Sequence, residues 1–68
     1  MRVTLNGRTC ELDEGASVRA AVVAAGAGDA ERGVAVALDG TIVPRSAWDV
    51  TTVAAEARIE VLRATAGG

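Results

Sequence analysis

Apolar and polar residues alternate near both ends of this 68-residue chain and follow a helical spacing between them. Val3 and Leu5 alternate with Arg2 and Thr4; beyond Asn6-Gly7, Cys10 and Leu12 alternate with Thr9 and Glu11. A period of two predicts strands with one buried face. The Asn-Gly step predicts a tight hairpin between them, because both central positions of such a turn need a positive φ. On this register Cys10 points with Leu12 into the core, where a free cysteine behaves as a small hydrophobe. Asp13-Glu14-Gly15 reads as a turn. Ser17 then stands one residue before Val18, Ala21, Val22 and Ala25, spaced i, i+3, i+4, i+7. The hydroxyl can accept from an orphan N–H of the first helical turn, and the spaced residues form one apolar stripe, so a short amphipathic helix is predicted, ended by Gly26.

Val34 to Leu38 is a short apolar run read as a strand. Asp39-Gly40 gives a second hairpin signal before Thr41-Ile42-Val43, and Pro44 stops that strand because it has no N–H for a ladder. Arg45-Ser46-Ala47-Trp48 reads as an irregular turn, with Trp48 a lid on one side of a small core. Ile59, Val61 and Arg63 alternate with Arg58, Glu60 and Leu62 in a last strand that runs into Ala64-Thr65-Ala66-Gly67-Gly68. The order hairpin, helix, hairpin, strand predicts an α+β fold of the β-grasp (ubiquitin-like) kind, a mixed sheet with one main helix packed on one face. The first and last strands are expected to lie adjacent and parallel at the sheet centre, joined by a right-handed crossover. Residues 1–64 are read as the domain and 65–68 as a flexible tail.

Composition narrows the function. With no His, one Cys and no Tyr, the chain lacks the usual groups for acid-base work, metal ligation and nucleophilic triads. A chain this short buries only ~60% of the surface its unfolded form exposes, leaving little room for a deep pocket. Both facts argue against an independent enzyme. A net charge of −2 with scattered acids, and a single aromatic residue, give no footprint for nucleic acid. The longest apolar stretch, Ala20 to Ala25, falls far short of the ~20 residues of a membrane span, and no signal-peptide pattern opens the chain. The lone cysteine excludes an internal disulfide, so a cytoplasmic setting is expected. Gly26-Ala27-Gly28-Asp29-Ala30-Glu31-Arg32-Gly33 lacks the Lys-Ser/Thr ending of a phosphate-binding loop and follows a helix where a dinucleotide fingerprint follows a strand, so it is read as a connector. All seven basic residues are Arg and none is Lys.

The chemistry is expected at Gly67-Gly68. Two residues without side chains make the narrowest peptide a chain can present, so a terminal carboxylate could enter a slot too tight for any Cβ. Gly68 would carry the reaction, Gly67 would permit passage, and Ala64 to Ala66 would set the reach. The segment from Thr65 to Gly68 spans about 13–14 Å when extended at ~3.3–3.6 Å per residue. Arg45 either guides a partner or bonds turn carbonyls, and the sheet face beside the last strand is the natural docking surface.

Taken together, Asn6-Gly7, Gly15-Ala16-Ser17-Val18, Val34 to Gly40, Val43-Pro44-Arg45 with Trp48 three residues on, and Arg58-Ile59-Glu60-Val61 before Ala66-Gly67-Gly68 resemble the ThiS family of ubiquitin-like sulfur carriers over almost the whole chain. The resemblance implies a protein cosubstrate that binds no cofactor. In it Gly68 is adenylated by a ThiF-like adenylyltransferase using MgATP, then converted to a thiocarboxylate with sulfur from a cysteine-derived donor. The thiocarboxylate serves thiazole synthase, ThiG, in thiamine biosynthesis. Carriers for molybdopterin or cysteine synthesis, and ubiquitin-like modifiers, use the same terminal chemistry. The family often has Gly-Asp before the last strand where this chain has Glu56-Ala57, so an altered turn is expected there.

Overall fold

The computed structural model describes residues 1–27 and 33–63. Strand β1 (Arg2–Leu5) turns through Asn6 and Gly7, at φ 51° and 81°, into β2 (Arg8–Glu11). Helix α1 (Val18–Ala24) follows, then β3 (Val34–Leu38), β4 (Thr41–Ile42), a short 3-10 helix over Arg45–Ala47 and β5 (Arg58–Arg63). Among the described residues the strands form one mixed sheet in the order β2-β1-β5-β3-β4. The two chain-terminal strands are parallel neighbours, with Leu5 opposite Ile59, and β5 pairs antiparallel with β3 on its other side. This is the arrangement the alternating pattern predicts.

Helix α1 begins where it should, with the Ser17 hydroxyl accepting from Ala20 N–H at 3.3 Å. It ends by returning Ala27 N–H to the Val22 carbonyl and Gly26 N–H to the Val23 carbonyl, around Gly26 at φ 80°. That double closure needs a left-handed residue after the last turn, the position glycine fills without strain. It also carries Ala27, read from sequence as connector, into the core at 1% exposure. Residues 28–32 of that connector lie outside the described residues. Val18, Ala21 and Val22 of the helix pack against Val3, Leu5, Val36, Ile59 and Val61 of the sheet. Cys10, facing the same side as its partner Val3, and Leu12 are half-buried at the core's margin.

Three local expectations change. Strand β4 is two residues long, not three; Val43 still donates to the Val36 carbonyl at 2.9 Å, but the chain then turns away at Pro44 into the 3-10 helix. Trp48 is an interior residue and no mere lid, 2% exposed, with its indole N–H donating to the Val43 carbonyl at 3.0 Å. The guanidinium groups of Arg19 and Arg45 lie 5.6 and 5.3 Å from its ring centroid. Val53 and Ala57, in a stretch with no periodicity, complete the core because Val53 N–H bonds the Ala16 carbonyl and Thr52 bridges Ser17.

The turn before β5 keeps the left-handed geometry and places a side chain in it. Glu56 sits at φ 66°, so the altered turn expected from Glu56-Ala57 does not occur. A non-glycine residue there costs roughly 1–2 kcal/mol. The local bonds offset part of it: Glu56 N–H donates to the Arg2 carbonyl at 2.7 Å, and Arg2 pairs with the Glu56 carboxylate at 3.2 Å. The ion pair is exposed and contributes at most about 1 kcal/mol. Glycine would relieve the strain, lose the ion pair and free the unfolded chain. Glu56→Gly is therefore expected to shift stability by less than about 1 kcal/mol at low salt, and to become relatively more favourable as added salt screens the ion pair. Urea titrations of both proteins at two salt concentrations check this.

Candidate functional site

Strand β5 delivers the chain to its end from the middle of the sheet. Ile59 and Val61 point into the core, while Arg58, Glu60 and Leu62 face the side away from α1. The Arg63 guanidinium donates to the Gly26 carbonyl at 3.2 Å, joining the strand's last residue to the loop that closes α1. Gly67 and Gly68, with Ala64 to Ala66 before them, lie outside the described residues. The structure thus positions the strand from which the terminal glycines continue.

The face without a helix is divided. Leu62 is paired with Ala35, and Ala37 is paired with both Glu60 and Ile42. Leu62 and Ile42 are 67% and 66% exposed, so two aliphatic side chains stand diagonally across a floor of two alanines. The small floor residues leave the larger ones accessible to a partner's side chains. Towards the other edge the same face is charged and polar: Arg58 beside Thr4, Thr4 beside Thr9, and Arg2 beside Glu11. An apolar half next to the strand that carries the tail, bordered by charge, is the arrangement of a docking surface with a polar rim.

The sequence reading placed the docking surface on this face without naming its residues. Leu62 carried a signal, as the one apolar residue in the outward phase of β5. Ile42, Ala35 and Ala37 carried none, because their place beside Leu62 follows from strand register. Among the described residues no group of three or more His, Cys, Asp or Glu is placed to hold a metal ion. No described helix is long and apolar enough to cross a membrane.

A family model described as the ThiS family matches residues 3–68. The chain belongs to the ThiS family. Among solved structures, the thiamine biosynthesis protein ThiS from Geobacter metallireducens is 34% identical, with 100% of each chain covered and a TM-score of 0.79. A search of curated proteins gives no match. The ThiS match includes the Asn6-Gly7 turn, the Val-Pro-Arg-x-x-Trp segment and the terminal Gly67-Gly68. The mixed sheet with one covering helix is the β-grasp fold of the ThiS structure.

Proposed function

We propose that this chain is a sulfur carrier for thiazole formation in thiamine biosynthesis, a protein cosubstrate whose reacting group is the Gly68 carboxylate. The observation that carries the reading is membership of the ThiS family through to the last residue, Gly68. A free α-carboxylate is ionised at neutral pH and resists nucleophiles because its charge is delocalised. A ThiF-like adenylyltransferase supplies MgATP and the cationic groups that stabilise the phosphates. A Gly68 carboxylate oxygen attacks the α-phosphorus, pyrophosphate leaves, and an acyl adenylate forms. A sulfur nucleophile from a cysteine-derived donor then attacks the acyl carbon and expels AMP; hydrosulfide gives the thiocarboxylate directly, whereas a persulfide gives an acyl disulfide whose S–S bond a thiol reductant cleaves to release the thiocarboxylate. The thiazole synthase, ThiG, takes that sulfur, an oxygen from its substrate or from water replaces it on the acyl carbon, and the carboxylate returns.

In this scheme the open face docks the adenylyltransferase. The Leu62–Ile42 patch meets an apolar surface beside the enzyme's slot, and the six residues that follow Leu62, from Arg63 to Gly68, are the chain that leads into it. Mass spectrometry of the intact protein after incubation with a ThiF-like enzyme, MgATP and a sulfur donor tests the reading. The expected result is a mass increase matching exchange of one oxygen for sulfur; an unchanged mass with an enzyme active on its own carrier refutes it. Adducts on lysines of other proteins would instead mark a modifier. In the same assay Leu62→Glu is expected to raise KM for the carrier about 10- to 100-fold, the range of an interface hot spot, with stability nearly unchanged because Leu62 is exposed.

A further inference from the structure

We propose that Asn6 is a positioning residue, whose side-chain amide holds β5 at Val61 and so sets where the reactive end of the chain departs from the sheet; this rests on the carrier reading above. The bonds between β1 and β5 follow a parallel ladder: Thr4 N–H donates to the Ala57 carbonyl and Asn6 N–H to the Ile59 carbonyl, both at 2.9 Å. Bonds in a parallel ladder are evenly spaced, so the next would run from Val61 N–H to the main chain at residue 6. That residue has already turned into the hairpin, at φ 51°. Its side-chain oxygen takes the place of the carbonyl, and Val61 N–H donates to Asn6 Oδ1 at 2.8 Å.

The substitution of side chain for main chain extends the hold on β5 by two residues. On the opposite edge β3 pairs with β5 as far as Val34 opposite Arg63. Without the amide, the β1 side would release the strand after Ile59, leaving it held near its end by β3 and the Arg63 contact alone. Asn6 itself is exposed and adds nothing to the apolar core. Few residues satisfy both demands of the position, a left-handed backbone and a side-chain acceptor three bonds from Cα; Asn and Asp do. When the open face is docked and the tail is extended in a partner's slot, the strand end and the carboxylate are two ends of a taut segment. Slack of an ångström at Val61 then reaches the reacting atom, and a displacement of that size can cost up to about 100-fold in rate.

Two variants isolate the contact. Asn6→Gly keeps the positive φ and removes the acceptor; Asn6→Asp keeps both. Asn6→Gly is expected to lower kcat for ATP-dependent loading about tenfold or more, within that range, with KM unchanged because the Leu62–Ile42 patch is intact. It should also speed amide hydrogen exchange at Val61, while Asn6→Asp restores both quantities. Wild-type kcat in a folded Asn6→Gly protein, or Asn6→Asp as slow as Asn6→Gly, would overturn the proposal. If Asn6→Gly does not fold, the wild-type protein decides: Val61 N–H exchanging as fast as an unstructured amide also overturns it, and strong protection that persists in Asn6→Asp upholds it. Absence of loading in the wild-type protein counts against the carrier reading alone, and the Val61 exchange rates then still decide the clamp.

Discussion

Gly67→Val is expected to abolish loading of the chain end, by on the order of 100-fold or more in kcat/KM for a ThiF-like adenylyltransferase, while leaving the melting temperature unchanged. The reason is steric. A slot shaped around two glycines has no room for a β-branched side chain next to the reacting residue, and a peptide that cannot advance leaves its carboxylate short of the α-phosphorus. Among the described residues the last core residue is Val61 and the last sheet residue is Arg63. A rate assay with intact-mass detection, alongside a thermal melt, separates the two quantities. Normal loading of the variant would remove the narrow-channel argument, and a lowered melting temperature would give the tail a structural role.

Trp48→Ala is expected to cost about 3–5 kcal/mol, the usual range for deleting a buried aromatic residue. A chain of this length has roughly 3–10 kcal/mol in total at ~0.05–0.15 kcal/mol per residue, so the variant should be largely unfolded or close to it. Trp48 is among the largest fully buried side chains, and three kinds of contact would go at once: its packing, its hydrogen bond to the Val43 carbonyl and the facing Arg19 and Arg45 guanidinium groups. The main-chain bond from Arg19 N–H to the carbonyl of residue 48 and the Arg19–Asp49 pair do not involve the indole, so they survive the substitution and do not add to its cost. Trp48→Phe separates packing from hydrogen bonding. It keeps a ring in the core and leaves the Val43 carbonyl unpaired, a loss of about 1–3 kcal/mol. Urea unfolding followed by far-ultraviolet circular dichroism is the suitable measurement, because both variants remove the sole fluorophore. A Trp48→Ala protein with wild-type midpoint would show that the residue is not the keystone its burial implies.

The terminal glycines and the outward phase of Leu62 could be read before any coordinates were known. Alternation over six residues assigns each side chain of β5 a face. Asn6 was legible only as a turn residue: its tie to Val61 joins positions 55 apart in the chain, and no local pattern encodes such a pair. Ile42 and the two alanines of the docking face were invisible for the same reason. The stretch from Asp49 to Ala57 has no period of two or 3.6, yet it supplies Val53 and Ala57 to the core through bonds to the start of α1. Glu56 shows a different failure. A rule about backbone preference argued for a changed turn, and the two hydrogen-bonded contacts with Arg2 kept the turn and changed its occupant.

Periodicity, turn chemistry and caps act over a few residues, so the amino-acid order alone was enough for the strands, the helix with its Ser17 and Gly26 ends, and both positive-φ hairpins. Which outward residues share a patch, how deeply Trp48 is buried, and what holds β5 at Val61 were decided only by tertiary structure. Each depends on strand register and on contacts between distant segments, and those are chosen by the burial of the whole core at once.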